Sequence, residues 1–228
     1  MVDVRDHEKL AELAQQRNTI YGLLVLVYAK EPTLELLKKI KEPEFTQALA
    51  EFGVEVEEEF FYRSEHELLE DMVVEYTRLF IGPGKHISPH ESVYVGPYGT
   101  CGSEGGKGLL YGEATVQVQR LMAEWGYGYS ADFRGIPDHI GIELQLMFLL
   151  TAREQEAWRS GDTGAACGFL EKERRFLAEH LVRWVPTFCG LVEKEAKLAF
   201  YRGMVRITRE FILSDHDDVV ELLANCQR

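Results

Sequence analysis

The stretch RGIPDHIGIELQLMFLL, residues 134–150, decides how this chain is read. From Leu144 to Leu150 only Gln145 interrupts an apolar run, which belongs in a protein core. Pro137 suits a first helical turn, so a helix is expected from Pro137 to about Arg159. Asp138 and His139 at its mouth are poor core residues unless they are paired. In the first turn Asp138 would gain ~0.3–1 kcal/mol from the helix dipole. His139 lies four residues before Glu143 and would share its face, bonding it or a loop carbonyl. The residues themselves leave two readings open, a structural charge pair or a binding site.

Outward from that helix the pattern is helix after helix. Residues 6–30 place Leu10, Leu13, Ile20, Leu23, Leu24 and Val27 at amphipathic spacing and stop before Pro32. Short helices are expected at 33–41 and 43–52. Ser64 and Glu67 have capping-box spacing ahead of a helix ending at Gly82-Pro83. Further helices are expected at 112–125 and from Asp162 to Trp184, broken by Pro186. One or two follow over 187–213, and Ser214-Asp215 can cap a last one at 216–225. No useful strand alternation and no long repeat occurs. The expected fold is all-α, one globular domain over residues 1–228 with about nine to eleven helices.

Residues 82–112 break the pattern. They hold nine of the chain's 20 glycines and three of its 7 prolines. A segment this long without periodicity is usually functional or mobile. This Gly/Pro-rich loop (82–111) and the linker 127–137 are candidate hinges.

The net charge is −13. Residues 42–75 hold twelve acids against the single base Arg63. That balance argues against nucleic acid, which needs clustered Lys and Arg. It suits a basic partner, or simply a solvated face. Cys101, Cys167, Cys189 and Cys226 form no C-x-x-C pair, so free thiols are expected. Residues 1–16 do not resemble a signal peptide, and the apolar run Ile20–Ala29 is too short to span a bilayer. A cytoplasmic protein without stable membrane insertion is the expectation.

Candidate chemistry is sparse. GSEGGKG (102–108) fails as a P-loop, because Cys101 and Gly108 stand where Gly and Ser/Thr are needed. His86 and His90 are four apart but lie in the Gly/Pro loop, with no H-E-x-x-H pattern and no Cys partner nearby. His139 with Glu143 could serve a metal-dependent helical hydrolase, although no nucleophile elbow accompanies them. The loop SPHESVYVGPY (88–98) beside Tyr76, Leu79 and Phe80 could form a peptide groove or ordinary core.

Four segments, in order, resemble one family. They are EYTRLFIGPG (75–84), SPHESVY (88–94), IPDHIGIEL (136–144) and FLAEHLVRWVPTF (176–188). Together they resemble the TorD/DmsD family of redox-enzyme maturation chaperones, which includes NarJ-like proteins. The resemblance implies an all-α, non-catalytic chaperone without a cofactor, monomeric or a domain-swapped homodimer. It implies binding of the twin-arginine leader of a molybdopterin oxidoreductase until its cofactor is inserted. The implied peptide-binding residues are Tyr76, Leu79, Phe80, Ser92, Val93, Tyr94, Gly112, Asp138 and His139. Glu143 joins them as a candidate acid beside that helix mouth. Asp138 is expected to face a leader arginine while His139 fixes the local geometry.

Overall fold

The computed structural model describes residues 6–43, 47, 50, 62–82, 84–95, 110–127 and 135–226. Helix α1 (His7–Tyr28) starts at Asp6, whose carboxylate accepts the Lys9 N–H. Helix α2 (Leu34–Ile40) follows Thr33 as its cap. Helix α3 (Glu65–Tyr76) opens with the expected capping box of Ser64 and Glu67. It runs without a break into a π-turn, Thr77–Ile81, closed by the Gly82 N–H on the Thr77 carbonyl at 2.6 Å. A 3-10 turn (Glu91–Val93) precedes α4 (Glu113–Glu124). The apolar run of 144–150 lies in α5 (Ile140–Ser160), which stops at left-handed Gly161 with φ 77°. Helix α6 (Thr163–Phe176), a second π-turn (Leu177–Leu181) and α7 (Val182–Glu195) are continuous. Helix α8 (Ala199–Cys226) completes the fold.

Counting continuous rods, the described residues contain seven helices rather than nine to eleven. The difference has identifiable causes. Pro186 sits inside α7 without ending it. Around it Trp184, Val185, Phe188 and Cys189 are fully buried. That packing outweighs the ~3 kcal/mol a proline costs a helix interior. Asp215 caps nothing, because its carboxylate is drawn into the core and α8 continues through it. Most of the expected helix at 43–52 lies outside the described residues. So do 96–109 of the Gly/Pro loop and 128–134 of the proposed hinge. Among the described residues there is no strand, only an isolated antiparallel bridge between His90 and His139. No described helix is long and apolar enough to cross a membrane.

Helix α1 lies along α5, α6 packs on α5, and α8 covers α6 and α7. A close approach occurs at Gly141, in the first turn of α5. A Cβ there would stand 2.6 Å from Ala29 Cα and 2.9 Å from its Cβ, so only glycine lets the end of α1 come this near. Cys167 and Cys226 form a disulfide joining α6 to the end of α8, in place of the expected free thiols. Fifty-nine residues separate them in sequence, and only helix packing brings them together. Cys189 remains a buried thiol.

Four helices meet at one buried cation. Arg17 of α1 bonds Glu154 of α5 at 2.7 Å, and also Glu173 of α6 and Asp215 of α8. Tyr21 donates to the second Asp215 oxygen at 2.5 Å, and Trp158 donates to Glu154 at 2.9 Å. Three carboxylates around one guanidinium leave negative charge in excess. Burial, then the neighbouring Glu154, pushes the Glu173 carboxyl well above its ordinary range. Removing the cation would strand all three. Arg17→Leu should therefore cost about 3–5 kcal/mol of stability in urea denaturation. Gly141→Ala should cost about 1–3 kcal/mol by overpacking against Ala29.

Candidate functional site

The four sequence motifs converge on the mouth of α5. Pro89 and Glu91 pair across it, with Glu91 N–H donating to the Asp138 carbonyl and Ile140 N–H to the Pro89 carbonyl, both at 2.9 Å. This short bridge lays loop 84–95 over the start of the helix. It also fixes the helix boundary. His139 is the N-cap and α5 begins at Ile140, so Asp138 stands before the helix rather than in its first turn.

Asp138 is fully buried. One carboxylate oxygen accepts the Ser92 N–H at 2.8 Å and the other accepts the Thr115 hydroxyl at 2.9 Å. A single acid thus joins the 3-10 turn, α4 and α5. The expected orientation toward a leader arginine is not the one seen, because both oxygens are spent inside the chain. In this arrangement Asp138 presents no exposed surface to a basic side chain from outside.

His139 does not bond Glu143. Its Nδ1 accepts the Gly141 N–H at 3.0 Å, capping the helix with an imidazole. Burial pushes its pKa down to about 4, and the neighbouring His90 ring, at 5.0 Å, adds to the shift. Burial lowers His90 as well. The two rings are partly exposed and sit edge to face at the surface of the site.

Glu143 points the other way, into the core, where it accepts the Trp184 indole N–H at 2.9 Å. Its pKa is raised well above the ordinary carboxyl range, first by burial and then by the charge of Glu91. Glu91, also fully buried, holds His180 Nδ1 at 2.7 Å with one oxygen. The remaining oxygens of Glu91 and Glu143 are buried with no partner so long as both groups are carboxylates. One proton on Glu143 turns two facing acceptors into a hydrogen bond. The result is a buried chain from Trp184 through Glu143 and Glu91 to His180. His139 and Glu143 serve different partners, so the shared face required by the hydrolase alternative does not form. No group of three His, Cys, Asp or Glu that could hold a metal occurs among the described residues.

The aromatic motif residues form the seat beneath. Tyr94 stacks on Trp184 at 5.3 Å and Phe80 on Phe188 at 5.9 Å. Tyr76 meets Phe80 edge to face at 5.0 Å and donates its hydroxyl to the Tyr28 carbonyl at 3.0 Å. Tyr76, Leu79, Phe80, Ser92, Val93 and Tyr94 are all buried. Leu79 and Phe80 lie on the first π-turn and His180 on the second, a helix irregularity often found at functional sites. Gly112, the N-cap of α4, is partly exposed. It follows Tyr111, the one described non-glycine residue at positive φ (65°).

Of the sequence-derived residues, then, Gly112 and His139 reach the surface and the others support them. Glu91, Thr115, His180 and Trp184 were not singled out beforehand. Three of them stood in the quoted motifs. A buried-type polar residue inside an apolar motif was the available signal.

The fold and this knot define an all-α protein whose motif residues hold a loop against a helix mouth. Residues 42–190 match the family model for the nitrate reductase delta subunit. The chain belongs to that family. It is 24% identical over 211 residues to the chaperone protein TorD of Shewanella pealeana, covering 88% of each chain. It is 26% identical over 215 residues to the TorD of Shewanella piezotolerans, covering 88% of this chain and 91% of the relative. The TorD of Vibrio atlanticus is 26% identical over 218 residues, covering 88% and 93%.

Two outcomes test the knot. Asp138→Asn places an amide donor opposite Ser92 N–H or Thr115 O–H, and should cost about 1–3 kcal/mol in denaturant unfolding. His139 titrates with a depressed folded pKa. Its contribution to stability is present above the unfolded value of about 6.5 and is lost as pH falls toward 4. His139→Asn keeps a capping side chain but removes the titration. Melting curves of this variant should fall less steeply with pH between 6.5 and 4 than those of the parent.

Proposed function

We propose that this protein is a cytoplasmic maturation chaperone, not an enzyme, for a molybdopterin-containing oxidoreductase. On this reading it binds the client's twin-arginine leader and holds it until the molybdenum cofactor is inserted. The observation that carries the reading is the convergence of four family-like motifs on one surface feature, in a chain of the nitrate reductase delta subunit family. The relatives' designation as chaperones supports it.

A twin-arginine leader is a basic patch followed by a moderately apolar stretch. The leader lies across the mouth of α5, over His139 and Gly112, with loop 84–95 as the movable wall. Tyr76, Leu79, Phe80, Asp138 and Glu143 hold that seat from beneath, while Ser92, Val93 and Tyr94 belong to the movable wall. Lifting the loop would uncover the aromatic cluster to the apolar part of the leader. The acidic requirement falls to Glu65, Glu67 and Glu70, exposed on α3, since Asp138 and Glu143 are committed internally. Rim charges of this kind speed association and favour the right partner more than they deepen affinity. The chain acts as a monomer or as a swapped homodimer that exchanges elements across 127–137.

Calorimetric titration with the leader of a molybdoenzyme from the same cell tests this. Binding is expected to weaken about tenfold or more in His139→Ala. In Glu65→Gln/Glu67→Gln/Glu70→Gln the association rate should fall and lose part of its salt dependence. Absence of binding to the parent protein would sink the leader reading. Binding that both variants leave intact, with the fold preserved, would move the leader to another face.

A further inference from the structure

Between α4 and the second π-turn lies a cavity of about 580 Å³, lined by none of the implied peptide-binding residues. Arg120, Arg175 and Arg183 line it against two carboxylates, Glu124 and Glu179. Both carboxylates are taken by Arg175, at 3.5 and 3.3 Å. Arg183 donates to the Glu179 carbonyl at 3.1 Å. Among the described residues neither Arg120 nor Arg183 has a carboxylate within ion-pair distance.

His180 supplies the second observation. It is 1% exposed, its Nδ1 is held by Glu91, and it lines this cavity. Its Nε2 makes no hydrogen bond among the described residues. A buried imidazole that lines a cavity, with one nitrogen anchored and the other unspent, can serve as a ligand group. The positive excess here is local, since the chain as a whole carries −13. Two guanidinium forks with unspent donors match the oxygens of a tetrahedral oxyanion, a geometry for which arginine is suited. Leu121 and Ala178 add an apolar wall, and the volume exceeds what a free phosphate fills.

We propose that this cavity binds a phosphate monoester. Arg120 and Arg183 hold its oxyanion. His180 Nε2 meets it as acceptor from the remaining P–OH. The organic body lies against Leu121 and Ala178. The inference is independent of the leader reading. Through the His180–Glu91 contact, however, the ligand would sit one side chain away from loop 84–95.

The test is calorimetric titration of the full chain with phenyl phosphate and with inorganic phosphate, at ionic strength matched by sodium chloride. Phenyl phosphate should bind saturably and at least threefold tighter than inorganic phosphate. It should shift the His180 Nε2 resonance in ¹⁵N spectra. Both arginines are exposed, so Arg120→Gln/Arg183→Gln should fold, and it should bind at least tenfold more weakly. Arg153→Gln, on the outer side of α5, should bind as the parent does. Equal affinity for the two ligands would overturn the monoester in favour of free phosphate. No saturable binding of either, or undiminished affinity in the double variant with its helical spectrum intact, would overturn the site. Arg120→Gln alone gives the same discrimination if the double variant does not fold.

Discussion

The guanidinium of Arg17 is the constraint on which the helix arrangement depends. It takes carboxylates from α5, α6 and α8 at once, so any slippage of α1 along its groove would leave buried acids without a cation. Apolar packing favours burial but tolerates sliding, since one leucine contact resembles the next. An ion cluster with one arginine and three acids does not. Its net contribution to stability is modest, because desolvation offsets much of the attraction. What it supplies is register. Gly141 works to the same end by steric means, setting how closely α1 and α5 approach at the other end of their contact.

With α1 and α5 fixed, the mouth of α5 becomes a defined platform. Asp138 then latches the 3-10 turn and α4 onto it through two short hydrogen bonds. Below the latch, the acids Glu91 and Glu143 and the imidazole of His180 run through the core as one hydrogen-bonded line. Such a network is stable only when every member is satisfied, which here requires a proton on Glu143. The loop is held both by these polar bonds and by Val93 and Tyr94, which are buried in the core, so opening it would also expose apolar surface. In the proposed leader seat that exposed apolar surface would be covered by the apolar part of the leader.

Much of this was legible in advance. Helical periodicity gave the all-α class, and the Ser64 and Glu67 capping box stands where the spacing placed it. The Gly/Pro-rich segment contains the loop that crosses the helix mouth. The four motifs pointed to the right family, and the fold brings them together at the mouth of α5. The errors share one origin. Pro186 and Ser214-Asp215 read as breaks because local propensity disfavours continuing the helix. Tertiary burial on both sides of each carried the helix through. Asp138 and Glu143 read as surface acids because a sequence does not show whether an acid has buried donors waiting for it.

By itself the sequence determined the helical class, the positions of most helices and the family, since these follow from local spacing and short motifs. Only the tertiary structure decided which polar residues are structural. Arg17 met Glu154, Glu173 and Asp215, and Cys167 met Cys226, across separations of 59 to 198 residues. Likewise only the fold turned Asp138 inward and left His139 at the rim. The physical reason is that burial and pairing are properties of a residue's neighbours in space. Periodicity reports which face of a helix is covered, but not which partner covers it.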